Sequence, residues 1–156
     1  MMKEIMEQPQ AISATISPRI GNDGRIILDG IALTQEELQA FNRIFILACG
    51  SAYHVGVVGK YVIEQAARIP VEVDIASEFR YRMPLVDERS LVLIISQSGE
   101  TADTLAALRE AKSHGARVIS IVNVVGSTIA RESDDVLYTW LGRKFPLPQP
   151  KLIALN

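Results

Sequence analysis

Ser96-Gln97-Ser98-Gly99-Glu100-Thr101 places hydroxyls, an amide and a glycine between an all-apolar run and a helix-forming stretch. That combination is anion chemistry. Serine and threonine O–H groups donate hydrogen bonds, and the first N–H groups of a following helix lack intrahelical acceptors. With the positive end of the helix dipole behind them, such groups most economically hold a phosphate. Lysine is missing from the turn, so it is not a P-loop, and the lone Gly99 is not a dinucleotide fingerprint. A nucleotide gripped by its pyrophosphate is therefore not expected. A second hydroxyl turn, Gly50-Ser51, repeats the pattern earlier in the chain, and Asn123-Val-Val-Gly-Ser127 is a third candidate contributor. Serine and threonine are also favoured helix caps, so capping alone would account for one hydroxyl. Three gathered around Gly99 favour the phosphate.

The neighbouring groups have plainer readings. Cys49 reads as a small apolar residue at a strand end, and His114 as a helix C-terminal residue favoured by the dipole. His54 lies early in a helix and can approach the site. Glu100 is either a dipole-favoured anion facing away from the phosphate or a base near the ligand. Glu78 to Arg82 reads as a solvated short helix.

These turns need elements to hold them. Leu91 to Ile95 are apolar without a break, as in a parallel strand buried on both faces. Ala102 to Lys112 is the helix that follows it. The same rhythm gives a strand at Arg43–Ala48 and a helix over Tyr53–Ala67. Val71–Ile75 alternates in polarity, as an edge strand does, and Ala76–Arg80 is a short helix. Val118–Val122 is a strand, Ser127–Glu132 a short helix and Asp135–Thr139 a last strand. Upstream, Lys3–Ile16 is helical in composition but interrupted by Pro9, and Thr34 with Glu37 forms a capping box. Strands alternating with helices specify an α/β fold, here a three-layer α/β/α sandwich on a five-stranded parallel sheet, flavodoxin-like in plan. In such sheets ligands bind beyond the carboxyl ends of the strands at the topological switch point. Turn chemistry and topology thus converge on one place.

The 156 residues suit one domain with a core, at 48% hydrophobic and 22% charged residues. A net charge of −2 gives no reason to expect nucleic acid or an anionic membrane as partner. No apolar run reaches transmembrane length, and the N-terminus is not a signal peptide. A single cysteine fits a reducing compartment, so a cytoplasmic location is expected. Two histidines and one cysteine, far apart, do not make a zinc site; no metal and no cofactor are expected.

Several segments carry a family resemblance: Lys3-Glu-Ile-Met-Glu-Gln-Pro9, Leu47-Ala-Cys-Gly-Ser51, Ile75-Ala-Ser-Glu-Phe-Arg-Tyr81, Ser96 to Asp103 and Asn123 to Glu132. Together they resemble the first sugar-isomerase (SIS) domain of the glucosamine-6-phosphate synthases, the isomerizing glutamine:fructose-6-phosphate aminotransferases. The resemblance implies phosphosugar contacts from Ser51, Ser96, Gln97, Ser98 and Thr101, with Gly50 and Gly99 supporting the turns. The family often has Gly-Thr-Ser where this chain has Gly50-Ser51-Ala52, so one hydroxyl is lost at Ala52. It also implies that catalytic groups lie in a second SIS domain, so that this chain binds fructose 6-phosphate or glucosamine 6-phosphate weakly and turns over nothing. A homo-oligomer is expected, as in the parent family, which is dimeric. The alternative is a free-standing regulatory SIS module that senses phosphosugars.

Residues 1–30 are read as a helix and turn leading in from a glutaminase domain, 31–140 as the SIS phosphosugar-binding domain, and 141–156 as a tail outside the family pattern. Prolines at 146, 148 and 150 forbid a regular helix in that tail. Deleting one nucleotide after the tryptophan codon of a back-translated synthase-like string reproduces Trp140 to Asn156 and a stop. The tail is therefore expected to be a frameshifted reading, and the helix that should cover one sheet face to be missing. Roughly a few hundred Å2 of apolar surface would then be exposed, with marginal stability and self-association as consequences.

Overall fold

The computed structural model describes residues 2–28 and 30–140, and the expectations for segment 141–156 and its missing helix lie outside the described residues. The chain divides into two compact units, one of which is Gly30–Tyr138. That unit holds five strands: β1 (Arg43–Ala48), β2 (Val71–Ile75), β3 (Ser90–Ser96), β4 (Arg117–Val122) and β5 (Asp135–Tyr138). All pair in parallel, in the order β2-β1-β3-β4-β5. The sheet is that of the α/β class expected.

β3 is central, and its apolar run is spent on both faces. Val92 and Ile94 are fully buried in one cluster with Phe45, Leu47, Val118 and Val122. That cluster lies under α4 (Ala76–Phe79), α5 (Ala102–Ser113) and α6 (Thr128–Glu132). Leu91 joins Ile44, Ile46, Val71 and Ile119 on the other face. There α3 (Ser51–Ala67) approaches closely, because Gly56 leaves the space that a Cβ 3.0 Å from both Ile46 and Val73 would fill. A short helix, α2 (Gln35–Ala40), precedes β1 with the capping box in place: Glu37 N–H donates to Thr34 Oγ1 at 3.2 Å and Thr34 N–H to Glu37 Oε2 at 2.8 Å.

Side-chain and loop contacts cover part of each sheet edge. On β2, Lys60 Nζ donates to Val71 O at 2.7 Å, and Val71 N–H donates to Glu64 Oε1 at 3.0 Å. On β5, Val136 N–H donates to Gly30 O at 3.1 Å, and buried Asp135 accepts from Ala32 N–H at 2.8 Å. An unpaired edge would template association with another chain, and these contacts take up part of its hydrogen-bonding groups, those of Val71 on β2 and the Val136 N–H on β5.

Two expectations are corrected. Pro9 does not interrupt the first helix, α1, which runs unbroken over Met2–Ile16. Pro9 is exposed, so water can satisfy the Ile5 carbonyl that loses its donor, and the break is avoided. Nor is Glu78 to Arg82 simply solvated. Phe79 is fully buried, edge-on to Phe45 with ring centroids 5.9 Å apart. Arg82 pairs with Glu72 at 3.1 Å and with Asp74 at 3.2 Å. Among the described residues no helix is long and apolar enough to cross a membrane.

Candidate anion site

The sheet order reverses between β1 and β3, whose paired ladder ends at Ala48 opposite Ile95. Immediately beyond lies a cleft of about 330 Å3 lined by Cys49, Gly50, Ser51, Ala52, Ile95, Ser96, Gln97, Ser98, Thr101 and Thr104. The structure therefore brings together all five residues singled out as ligand contacts, with Gly50 beside them.

Each wall is a strand-to-helix turn. Gly50 takes φ +59°, ψ −135° as the N-cap of α3, a backbone state open to glycine. Thr101 is the N-cap of α5 at φ −66°, ψ 118°. Neither helix start carries a side-chain capping bond. Capping therefore does not account for Thr101, and two helix N-termini present unclaimed N–H groups to one cleft. Their dipoles add there.

The hydroxyls are arranged as donors. Buried Ser96 Oγ accepts from Gly99 N–H at 3.1 Å and is hydrogen-bonded to Thr101 Oγ1 at 3.3 Å, either hydroxyl able to donate. Ser98 Oγ accepts from Glu100 N–H at 3.2 Å. Ser98 accepts from the backbone and keeps its O–H free to donate outward, and the Ser96–Thr101 pair, which spends one proton on its mutual bond, keeps one more. Ser51, Gln97 and Ser98 are exposed at the mouth, while Thr101 is half-buried. Among the described residues no lysine or arginine lines the cleft, and the residues that do line it offer an anion neutral dipoles.

Asn123 to Ser127, expected as a third contributor, does not line the cleft but buttresses it from behind. Asn123 N–H donates to Gln97 O at 3.1 Å, Ile129 N–H donates to Gly99 O at 3.0 Å, and buried Ser127 packs against Gly99. Gly99 is buried at φ +67° and shapes the turn from beneath.

The candidate bases are elsewhere. Glu100 is exposed and accepts from Thr128 N–H at 2.7 Å. That backbone bond holds its carboxyl below the ordinary glutamate value. It faces the α6 turn. His54 is exposed against Tyr53 and does not line the cleft, and His114 Nε2 pairs with Glu110 at 3.2 Å. No group of three or more His, Cys, Asp or Glu side chains among the described residues is placed to hold a metal.

Four lining residues, Cys49, Ala52, Ile95 and Thr104, are not among the contacts expected from the sequence. Thr104 is almost fully buried and donates to Cys49 Sγ at 3.6 Å. The signal for Thr104 was its i, i+3 spacing from Thr101, which sets both hydroxyls on one face of the helix start.

Comparison with known proteins places this geometry in a lineage. The chain is 63% identical to the isomerizing glutamine–fructose-6-phosphate aminotransferase of Caldanaerobacter subterraneus subsp. tengcongensis, over 99% of its own length and 26% of the relative. The corresponding protein of Clostridium acetobutylicum is 60% identical over 97% of this chain and 25% of its own. The chain thus spans about a quarter of the length of these relatives. Among solved structures, the C-terminal domain of glucosamine-fructose-6-phosphate aminotransferase from Francisella tularensis superposes with a TM-score of 0.81 at 45% identity, covering 91% of this chain and 39% of that one. The SIS domain profile matches residues 37–149. By that match, and with the sheet and switch-point cleft described above, the chain belongs to the SIS domain family.

Proposed function

We propose that the cleft between β1 and β3 binds the phosphate of a sugar phosphate, with Ser51, Ser96, Gln97, Ser98 and Thr101 as the contacting residues. The observation that carries this reading is the convergence of two uncapped helix N-termini on one hydroxyl-lined cleft. Phosphate is a multi-acceptor dianion, and the cleft offers donors only from neutral groups. An inorganic ion fits such donors as well, so the sugar is selected outside the cleft lining. Relatives named for fructose 6-phosphate support that hexose phosphate as the ligand class.

The longer protein to which this chain corresponds is proposed to convert fructose 6-phosphate and glutamine-derived ammonia into glucosamine 6-phosphate in the cytoplasm. Proton transfer between the first two sugar carbons needs a base within hydrogen-bond reach. Glu100 is committed to Thr128 and His54 lies off the cleft, so this chain binds without turning over. Residues 31–140 form the binding domain in this reading. Exposed Val55, Val58, Tyr61 and Val62 on α3 support association with a second copy.

Calorimetric titration of the chain with fructose 6-phosphate, fructose and inorganic phosphate tests the proposal. The sugar phosphate should saturate with weak affinity, phosphate should compete, and fructose should be silent. Saturation by fructose alone, or no heat with either phosphate, would refute it. A coupled assay for glucosamine 6-phosphate should read zero.

A further inference from the structure

Beyond Ala48 and Ile95 the β1–β3 ladder stops, and the two donor turns separate toward solvent. One side-chain hydrogen bond then spans the gap among the described residues: Thr104 Oγ1 to Cys49 Sγ, 3.6 Å. Cys49 is the residue before Gly50, where the chain swings into α3. Thr104 is the third residue of α5, in the turn whose N–H groups face the cleft. Both side chains line the cleft, and Thr104 is 1% exposed. In a helix a threonine hydroxyl commonly bonds back to the carbonyl four residues earlier. Here the hydroxyl instead gives its proton to a sulfur in another segment. A thiol is a weak acceptor. That bond ties the start of α5 to the segment that leaves β1.

We infer that Thr104 is a positioning residue for the anion site, setting the distance between the Gly50–Ser51 and Ser98–Thr101 donor turns through its bond to Cys49. This rests on the phosphate-binding reading and deepens it: a single dianion is gripped from both sides only if the two turns keep a fixed separation. Thr104 need not touch the ligand. Its O–H bridges the two walls as a strut at the cleft floor.

The test compares the isotopically labelled full chain with Thr104→Val, Thr104→Ser, Cys49→Ala and the Thr104→Val/Cys49→Ala double variant. Fructose 6-phosphate titrations and amide hydrogen exchange without sugar are read for each. Thr104→Val should weaken binding roughly three- to tenfold, the range of one hydrogen bond. Thr104→Ser should restore it, because it keeps the hydroxyl and only removes a methyl. Cys49→Ala should match Thr104→Val, and the double variant should be no worse than either. Without sugar, the hydrogen-bonded amides that close the two turns, Tyr53 to Gly50 O and Leu105 to Thr101 O, should exchange faster in Thr104→Val and recover in Thr104→Ser. Additive losses in the double variant, or a serine variant as weak as valine, would overturn the strut. If the parent chain does not bind the sugar phosphate, the phosphate reading fails, and the exchange comparison still decides the link. Should Thr104→Val not fold, Cys49→Ala carries the same comparison.

Discussion

Ser127 stands directly behind Gly99: a Cβ on residue 99 would lie 2.1 Å from Ser127 Oγ and 2.5 Å from its Cβ. The turn that presents the hydroxyls is thus pressed against the cap of the next helix, where Ser127 accepts from Ala130 N–H at 3.4 Å. Residue 99 is fixed as glycine twice over, by this contact and by its φ of +67°.

Gly99→Ala should therefore destabilise the fold by at least about 2 kcal/mol, through the left-handed backbone and the overlap together. It should also abolish sugar-phosphate binding. Adding Ser127→Gly removes the overlap and leaves the backbone cost, so it should recover part of the stability. Urea unfolding of the two variants measures both. A single variant as stable as the parent would contradict the packing described.

The Glu100 carboxyl is held below its ordinary value of 4.5, first by the Thr128 N–H. A group whose folded pKa is depressed contributes stability above its unfolded pKa, and loses it as pH falls through the folded value. The stability gap between the parent chain and Glu100→Gln should be full at neutral pH and shrink on acidification below 4.5. A gap that widens in acid would show that the carboxylate is not the stabilised form. Sugar-phosphate affinity should be nearly unchanged in this variant, because the side chain faces α6.

Much of this was legible in the residues, and where it failed the reason is physical. The apolar run Leu91–Ile95 could be read as a central strand because both its faces are buried, which no edge strand tolerates; β2, with exposed Glu72, showed the contrary pattern. The hydroxyl turns were visible because their residue types are costly to explain otherwise. Phe79 was not, since a helix of four residues is too short for periodicity to reveal which side is inward. Thr104 was hidden inside a helix-forming run, and its burial arises from the end of β1, which lies 55 residues away in sequence. The segment after β4 was a candidate third contributor to the cleft, and that it props the Gly99 turn instead depends on tertiary packing alone.

Ser120 on β4 is fully buried, and its hydroxyl has no partner among the described residues. An unsatisfied buried hydroxyl costs free energy that alanine does not. Ser120→Ala should raise the unfolding free energy by about 1 kcal/mol. Thermal and urea denaturation check this, and a loss of similar size would show that the hydroxyl is satisfied in solution.

Ala52 lines the cleft, half-buried, at the start of α3. Ala52→Ser places one more donor beside Ser51. Affinity for fructose 6-phosphate should rise roughly three- to tenfold by titration calorimetry, the net worth of one ordinary hydrogen bond. Unchanged or weaker binding would place the phosphate away from this helix start.

The most direct test is an amide-resolved NMR titration of the chain with fructose 6-phosphate. Saturable shifts should concentrate at Ser51, Ala52 and the Ser96–Thr101 turn, at one common dissociation constant, while the amides around Phe41 and Ile69 at the opposite end of the sheet stay still. Shifts centred on that opposite end, or none that saturate, would contradict an anion site at the β1–β3 switch point.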